Sequence, residues 1–128
     1  MSVLVAYSAD EFGRAALEYG VREATSGPER LLVLNVTRGD ALVDPRYAGE
    51  HDAEAVRERL DALTLETEFR QLMSPDVAEE ILAVAEVEQP RLLVVGIRRR
   101  TPVGKLLLGS VAQRLILEAH CPVVAVKP

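Results

Sequence analysis

The chain has 128 residues and a formal net charge of −5, and 48% of its residues are apolar but only 4% aromatic. This length suits a single domain over residues 1–128, and the composition is wrong for a disordered chain. The acidic balance and the few aromatic rings argue against nucleic-acid binding, and no apolar run approaches the roughly 20 residues of a membrane helix. A lone cysteine, Cys121, and an amino terminus unlike a signal peptide indicate a cytoplasmic protein.

In the first half of the chain, short apolar runs alternate with segments of helical periodicity. Residues 3–7 are a continuous apolar run, which predicts a strand buried on both faces, and residues 31–36 predict a second strand of the same kind. Asp10 is placed to cap the helix between them. The predicted inward face of that helix is Phe12, Ala15, Ala16, Tyr19 and Ala24. After a loop over residues 37–50, a second helix is predicted with the inward residues Ala53, Val56, Leu60 and Leu63.

The second half continues the alternation with three further strands. Residues 64–72 alternate weakly and predict an exposed or edge strand, and residues 92–95 predict a buried one. Ser74-Pro75-Asp76 predicts a helix start with Ser74 as the cap and Pro75 at the first position. The inward face of this helix is predicted to be Val77, Ile81, Val84 and Ala85. A last helix, with Val111, Leu115 and Ala119 inward, starts near Gly109-Ser110 and precedes a strand that begins at Pro122 and ends at Val126.

The resulting order, strand and helix in strict alternation, predicts a parallel sheet with helices on both faces. In such sheets ligands bind outside the carboxyl ends of the strands, where the strand order reverses. The segments at that edge are residues 8–10, 37–39 and 96–110.

The segment over residues 96–110 reads GIRRRTPVGKLLLGS and combines a glycine-rich turn with basic residues. Free main-chain amides and a hydroxyl at the start of a helix, with Arg98, Arg99, Arg100 and Lys105 nearby, indicate a phosphate or nucleotide site. The alternative is that the glycines only turn the chain and the arginines are solvated. A P-loop is excluded, because it would need a glycine in place of Arg99 and a hydroxyl in place of Leu106. The adjacent His120 and Cys121 have no third ligand in sequence reach, so no metal is predicted.

Residues 92–127, LLVVGIRRRTPVGKLLLGSVAQRLILEAHCPVVAVK, closely resemble the carboxyl-terminal part of the universal stress protein family. Residues 3–21, VLVAYSADEFGRAALEYGV, are similar to the first strand and helix of that family. The resemblance implies a five-stranded parallel sheet of order 3-2-1-4-5, with helices on both faces and the adenine nucleotide alpha hydrolase-like fold. It also implies homodimers that pair through the last strand, and ATP binding in many members but not in others.

The nucleotide-binding members carry the motif G-x-x-G-x9-G-[ST]. Here Gly96 and the pair Gly109-Ser110 match it with the correct spacing, but Arg99 replaces the second glycine. The family's aspartate at the end of the first strand corresponds to Ser8. The nucleotide-binding residues implied by this resemblance are Ala6, Ser8, Val36, Gly96, Arg98, Arg99, Gly109, Ser110 and Val111.

The function that follows is a stress-response binding protein that takes ATP or another phosphate-bearing ligand between the fourth strand and the last helix. It would act through dimerisation and partner association, with no catalytic residue. Two alternatives stay open. The first is a nucleotide-free dimeric interaction module, which is favoured because Ser8 and Arg99 stand where the family has an aspartate and a glycine. A slow ATP hydrolase would need a carboxylate at the edge of the sheet, for which the sequence offers Asp10 and Asp40.

Overall fold

The computed structural model of the chain describes residues 1–38, 48–98 and 108–128, in which strands and helices alternate as predicted. The strands are β1 (Ser2–Ala6), β2 (Arg30–Thr37), β3 (Thr67–Met73), β4 (Leu92–Gly96) and β5 (Val123–Val126). The helices are α1 (Glu11–Ser26), α2 (Glu50–Asp61), α3 (Val77–Glu88) and α4 (Ser110–Glu118). None of the helices in these described ranges is long and apolar enough to span a bilayer.

The strands form one parallel sheet in the order β3-β2-β1-β4-β5, which confirms the order implied by the resemblance. β1 lies at the centre, and its Val5 pairs in register with Val33 of β2 and Val94 of β4. The chain runs outward from β1 to β2 and β3 on one side, and then returns to β4 and β5 on the other. The strand order therefore reverses between β1 and β4, and their carboxyl ends frame a cleft at that point.

Each face of the sheet carries its own core, because successive side chains of a strand point to opposite faces. Val3 and Val5 of β1 pack in one buried cluster with α1 and α2. Leu4 and Ala6 pack in the other with α3 and α4. Burial on both faces explains why the central strands are continuous apolar runs.

The buried face of α1 differs from the predicted one. Phe12, Ala15 and Tyr19 are only partly buried, whereas Ala16 and Ala24 are buried as predicted. The face also contains residues that the prediction left out, which are Gly13, Leu17, Gly20 and Val21. A Cβ atom on Gly20 would lie 2.3 Å from Val5 Cγ2, so this glycine lets the helix axis approach β1 closely. The two glycines are invisible to a search for apolar side chains, whereas Leu17 and Val21 are apolar residues that the predicted face left out.

The start of α3 is also corrected. Asp76, and not Ser74, is the cap, and its side chain accepts a hydrogen bond from the Glu79 amide at 3.1 Å. The helix begins at Val77, so Pro75 precedes it. The negative carboxylate is favoured over a neutral hydroxyl at a helix amino terminus because of the helix dipole. Ser74 Oγ accepts instead from the Asp76 amide at 3.3 Å.

The remaining differences are at element boundaries. In α4, Leu115 is buried as predicted together with Ala112, while Val111 and Ala119 are only partly buried. Leu63 lies beyond the end of α2, where it packs partly buried against the same core as that helix. β3 is an edge strand, as expected, but begins at residue 67.

Candidate functional site

A cavity of about 570 Å³ opens at the carboxyl ends of β1 and β4, where the strand order reverses. The predicted site residues Ala6, Ser8, Val36, Gly96, Arg98, Gly109, Ser110 and Val111 all line this cavity. Arg99, the remaining predicted residue, lies outside the described residues, as do Arg100, Lys105 and Asp40. The structure thus brings distant segments together at one place, and their role in binding stays a prediction.

The floor of the cavity is apolar and comes from elements that the sequence analysis assigned only to the core. Val77 and Ile81 of α3 and Val95 of β4 lie there beside Val36. α3 begins a few residues after the carboxyl end of β3, so its first turns lie at the same edge of the sheet. That placement was the available signal for Val77 and Ile81.

One wall of the cavity is formed by the segment that joins β1 to α1. Ser8 Oγ donates a hydrogen bond to Asp10 Oδ1 at 2.7 Å. The same carboxylate oxygen accepts from the Gly13 amide at 2.9 Å, which is the predicted capping of α1. The wall therefore carries a fixed negative charge, and the hydroxyl proton of Ser8 is already used to orient it.

The opposite wall is the amino terminus of α4. Gly109 is the cap residue, with φ −61° and ψ 152°, and among the described residues no side chain caps this helix. A Cβ atom on Gly109 would meet no atom of the described residues within 4 Å. The first main-chain amides of a helix have no acceptors within the helix and lie at the positive end of its dipole. This wall is consequently suited to an anion, such as a phosphate group.

Two further residues at the cavity edge, Gly96 and Arg98, lie against Phe12. The Arg98 guanidinium carbon lies 5.7 Å from the centre of the Phe12 ring, a cation–π contact that places positive charge beside the cavity. A Cβ atom on Gly96 would lie only 2.1 Å from the Phe12 carbonyl oxygen. Glycine at this position is thus required by the packing of β4 against α1, whereas at Gly109 no packing contact requires it.

A second cavity, of about 600 Å³, lies at the amino ends of the strands and has a different character. Its rim includes the carboxylates Glu79, Glu86 and Glu118. Arg91, which also lines this cavity, is already paired with Glu29 at 2.7 Å. An anion is therefore disfavoured there, and no group of described residues at either cavity has the composition of a metal site.

Comparison with known proteins agrees with this architecture. The model of the Universal stress protein family matches residues 1–127. The chain belongs to the universal stress protein family. A universal stress protein from Mycolicibacterium smegmatis is 51% identical over 126 residues, which cover 98% of this chain and 97% of the relative. A second member of the family, from Thermus aquaticus, is encoded in the QAH/OAS sulfhydrylase 3′ region and is 33% identical over 138 residues, 98% of each chain.

Solved structures of the family share the fold at lower identity. A universal stress protein in complex with cAMP superposes with a TM-score of 0.72 at 20% identity, covering 99% of this chain and 96% of the other. The family protein from Arabidopsis thaliana with AMP bound superposes with a TM-score of 0.69 at 20% identity, covering 99% of this chain and 91% of the other. The Archaeoglobus fulgidus protein in complex with dAMP gives 0.64 at 20% identity, over 98% and 96%. At this identity the likeness shows the fold, the adenine nucleotide alpha hydrolase-like fold of the family.

Proposed function

We propose that this universal stress protein binds an adenine nucleotide in the cavity between β1 and β4, with the phosphate on the amino terminus of α4. The observation that carries the proposal is the start of α4. Among the described residues, no side chain caps its first amides and no atom lies within 4 Å of a Cβ on Gly109. The structural neighbours in complex with cAMP, AMP and dAMP support an adenine nucleotide as the ligand class.

The charge distribution of the cavity fits such a ligand. Phosphate would face the α4 amides and Arg98, at the positive wall. The hydroxyl and amino groups of a nucleoside are hydrogen-bond donors, and Asp10 supplies an acceptor at the other wall. The apolar floor accommodates a base, and about 570 Å³ lies within the range of roughly 300–1,000 Å³ that is usual for small-molecule sites.

The same geometry favours binding over turnover. Asp10 is the one carboxylate among the described residues that line the cavity, and it already accepts hydrogen bonds from Ser8 and Gly13. An acceptor engaged in this way is a poor choice for activating a water molecule. We therefore propose that the protein acts through ligand-dependent association with partners in the cytoplasm, a compartment that suits its lone cysteine.

The partner that the fold itself suggests is a second copy of the chain. β5 is an edge strand and pairs only with β4 among the described strands. The Pro122 carbonyl accepts from the Leu93 amide of β4 at 2.9 Å, and the Val126 carbonyl accepts from the Ile97 amide just after β4 at 2.8 Å. Because alternate residues of a strand present their main chain to opposite sides, Val123 and Ala125 direct theirs outward. An open apolar edge favours strand pairing, and a two-fold dimer through β5 would cover it.

Calorimetric titration with AMP and with ATP tests the proposed site. We expect submillimolar binding by the wild type and at least tenfold weaker binding by Gly109→Asp. An aspartate there would accept from the free α4 amides itself and would repel the phosphate, and losing one hydrogen bond to a charged group costs about 10–150-fold.

Gly49→Asp is the matched control for this variant. Gly49 caps α2 with φ −62° and ψ 173°, and no side chain caps this helix among the described residues. A Cβ atom on Gly49 would meet nothing within 4 Å, as at Gly109. Both substitutions place the same new charge on a helix start, and only Gly109 lines the cavity. Wild-type affinity in Gly109→Asp, or an equal loss in both variants, would refute the proposed phosphate position.

A further inference from the structure

Asn35 is a buried polar residue near the carboxyl end of β2. It lies in β2, its exposed fraction is 0%, and its neighbours in the strand are apolar. A buried amide costs free energy unless its donors and acceptors are paired. Asn35 is not among the residues that line the cavity, so direct contact with a ligand does not explain it.

The Asn35 side chain links three other segments of the chain. Its Nδ2 donates to the Tyr7 carbonyl at 3.0 Å. Its Oδ1 accepts from the Ala48 amide at 3.0 Å and from Gln71 Nε2 at 3.3 Å. These partners fix which way the amide points, because a flipped side chain would set its NH2 group against the Ala48 N–H.

The link to Tyr7 reaches the cavity wall. β1 ends as a strand at Ala6, and the Tyr7 amide still donates to the Leu34 carbonyl at 2.8 Å. The Tyr7 carbonyl and the Ser8 amide belong to one planar trans peptide, so a hydrogen bond to the carbonyl also fixes the direction of the amide. Ser8 is the first residue of the negative wall of the cavity, and its Oγ holds Asp10.

We propose that Asn35 is a positioning residue for the cavity, which acts by holding the Tyr7–Ser8 peptide and through it the Ser8–Asp10 wall. As a contribution to nucleotide affinity, the inference rests on the proposed function. The role of Asn35 in holding the Tyr7–Ser8 peptide does not rest on the proposed function, because these hydrogen bonds exist without ligand. Gln71 provides the contrast: it donates to the Ala48 carbonyl at 2.9 Å and to Asn35, on the side away from Tyr7.

The test compares Asn35→Asp with the control Gln71→Met. Asn35→Asp keeps the size of the side chain and the oxygen that accepts from Ala48, but it has no N–H for the Tyr7 carbonyl. Gln71→Met removes the link to β3 and leaves the Tyr7 link in place. We expect AMP affinity to fall at least tenfold in Asn35→Asp and to stay within twofold of the wild type in Gln71→Met. Given AMP binding by the wild type, equal affinities in the two variants would overturn the proposal.

Hydrogen exchange without ligand separates this inference from the proposed function. The readout is a ratio of exchange rates, that of the Asp10 and Gly13 amides divided by that of the Leu93 amide in β4. The Asp10 amide donates to the Ser8 carbonyl and the Gly13 amide to Asp10 Oδ1. We expect this ratio to rise at least tenfold in Asn35→Asp and not in Gln71→Met; an unchanged ratio would overturn the inference. If the wild type binds no AMP but the ratio rises, the proposed function fails and the positioning role stands.

If Asn35→Asp does not fold, a second variant allows the same comparison. Asn35→Ser, which is too short to reach the Tyr7 carbonyl, then replaces Asn35→Asp in both measurements. The wild type adds a third readout, since the side-chain amide signals of Asn35 are expected to shift in NMR spectra when AMP is added. Signals that do not move at saturating AMP would contradict the positioning role.

Discussion

Two glycines of the family motif, Gly96 and Gly109, should respond in opposite ways to the same substitution. At Gly96 an alanine Cβ would lie 2.1 Å from the carbonyl oxygen of Phe12 and 2.6 Å from its carbonyl carbon. Both are main-chain atoms, so α1 or β4 must move to admit the methyl group. Overpacking of this kind costs about 1–3 kcal/mol, and we expect the upper end because no flexible side chain can yield.

At Gly109 the same methyl group meets no atom within 4 Å in the part of the chain that the structure describes, and φ −61° is accessible to alanine. Alanine is a poorer cap than glycine, which costs up to about 1 kcal/mol. It also restricts the unfolded chain, which returns about 0.4–1 kcal/mol. The free energy of unfolding of Gly109→Ala should therefore lie within about 0.5 kcal/mol of the wild-type value.

Urea denaturation followed by circular dichroism measures both variants, and AMP titration adds the functional readout. We expect Gly96→Ala to lose about 3 kcal/mol, equivalent to roughly 10 °C in Tm for a chain of this size. Gly109→Ala should keep the stability but lose AMP affinity, because its methyl group occupies the space in front of the α4 amides. A Gly96→Ala protein as stable as the wild type would refute the packing argument.

Three further predictions concern the edge, a cap and the core. Ala125→Pro removes an outward N–H of β5 and leaves the hydrogen bonds between β5 and β4 in place. Sedimentation should therefore show a dimer for the wild type and a folded monomer for the variant. A wild-type monomer at micromolar concentration would exclude the dimer. The main-chain amide that Asp76 caps, and then Arg114, lower the pKa of Asp76, so its stabilisation is complete above about pH 5 and is lost progressively as the pH falls. The Tm advantage of the wild type over Asp76→Asn should thus shrink between about pH 5 and pH 2, and an advantage that persists would contradict the assignment. Leu115→Ala, at a residue with an exposed fraction of 0%, should cost about 2–5 kcal/mol in thermal melts, while Leu117→Ala, at 73%, should be nearly neutral.

Much of the fold could be predicted because its signals are local. The apolar run over residues 3–7 and the capping position of Asp10 each depend on a few neighbouring residues, and both were confirmed. The face of α1 could not be predicted in the same way, because Gly20 is buried by its contact with Val5 of another element. Side-chain volume is the signal that periodicity uses, and glycine has none.

The site was predictable only in part for a related reason. The rule that ligands meet the carboxyl ends of strands placed Ser8 and Gly109 at the correct edge, and the structure brings both to one cavity. Ile81 also lines that cavity, and the helical periodicity of α3 marks it only as a core residue, although the short connection from β3 places the first turns of α3 at this edge. The bond of Asn35 to the Tyr7 carbonyl spans 28 positions in the chain, so its role becomes visible only in three dimensions.

Since β1 separates the two cores of this protein, the cavity at its carboxyl end borders both of them. Tyr7 belongs to one core and Ile81 to the other, and both line the cavity. A ligand bound in this cavity would contact residues of both cores at once. If the proposed nucleotide binds there, it should therefore stabilise the folded chain against unfolding and slow its proteolysis.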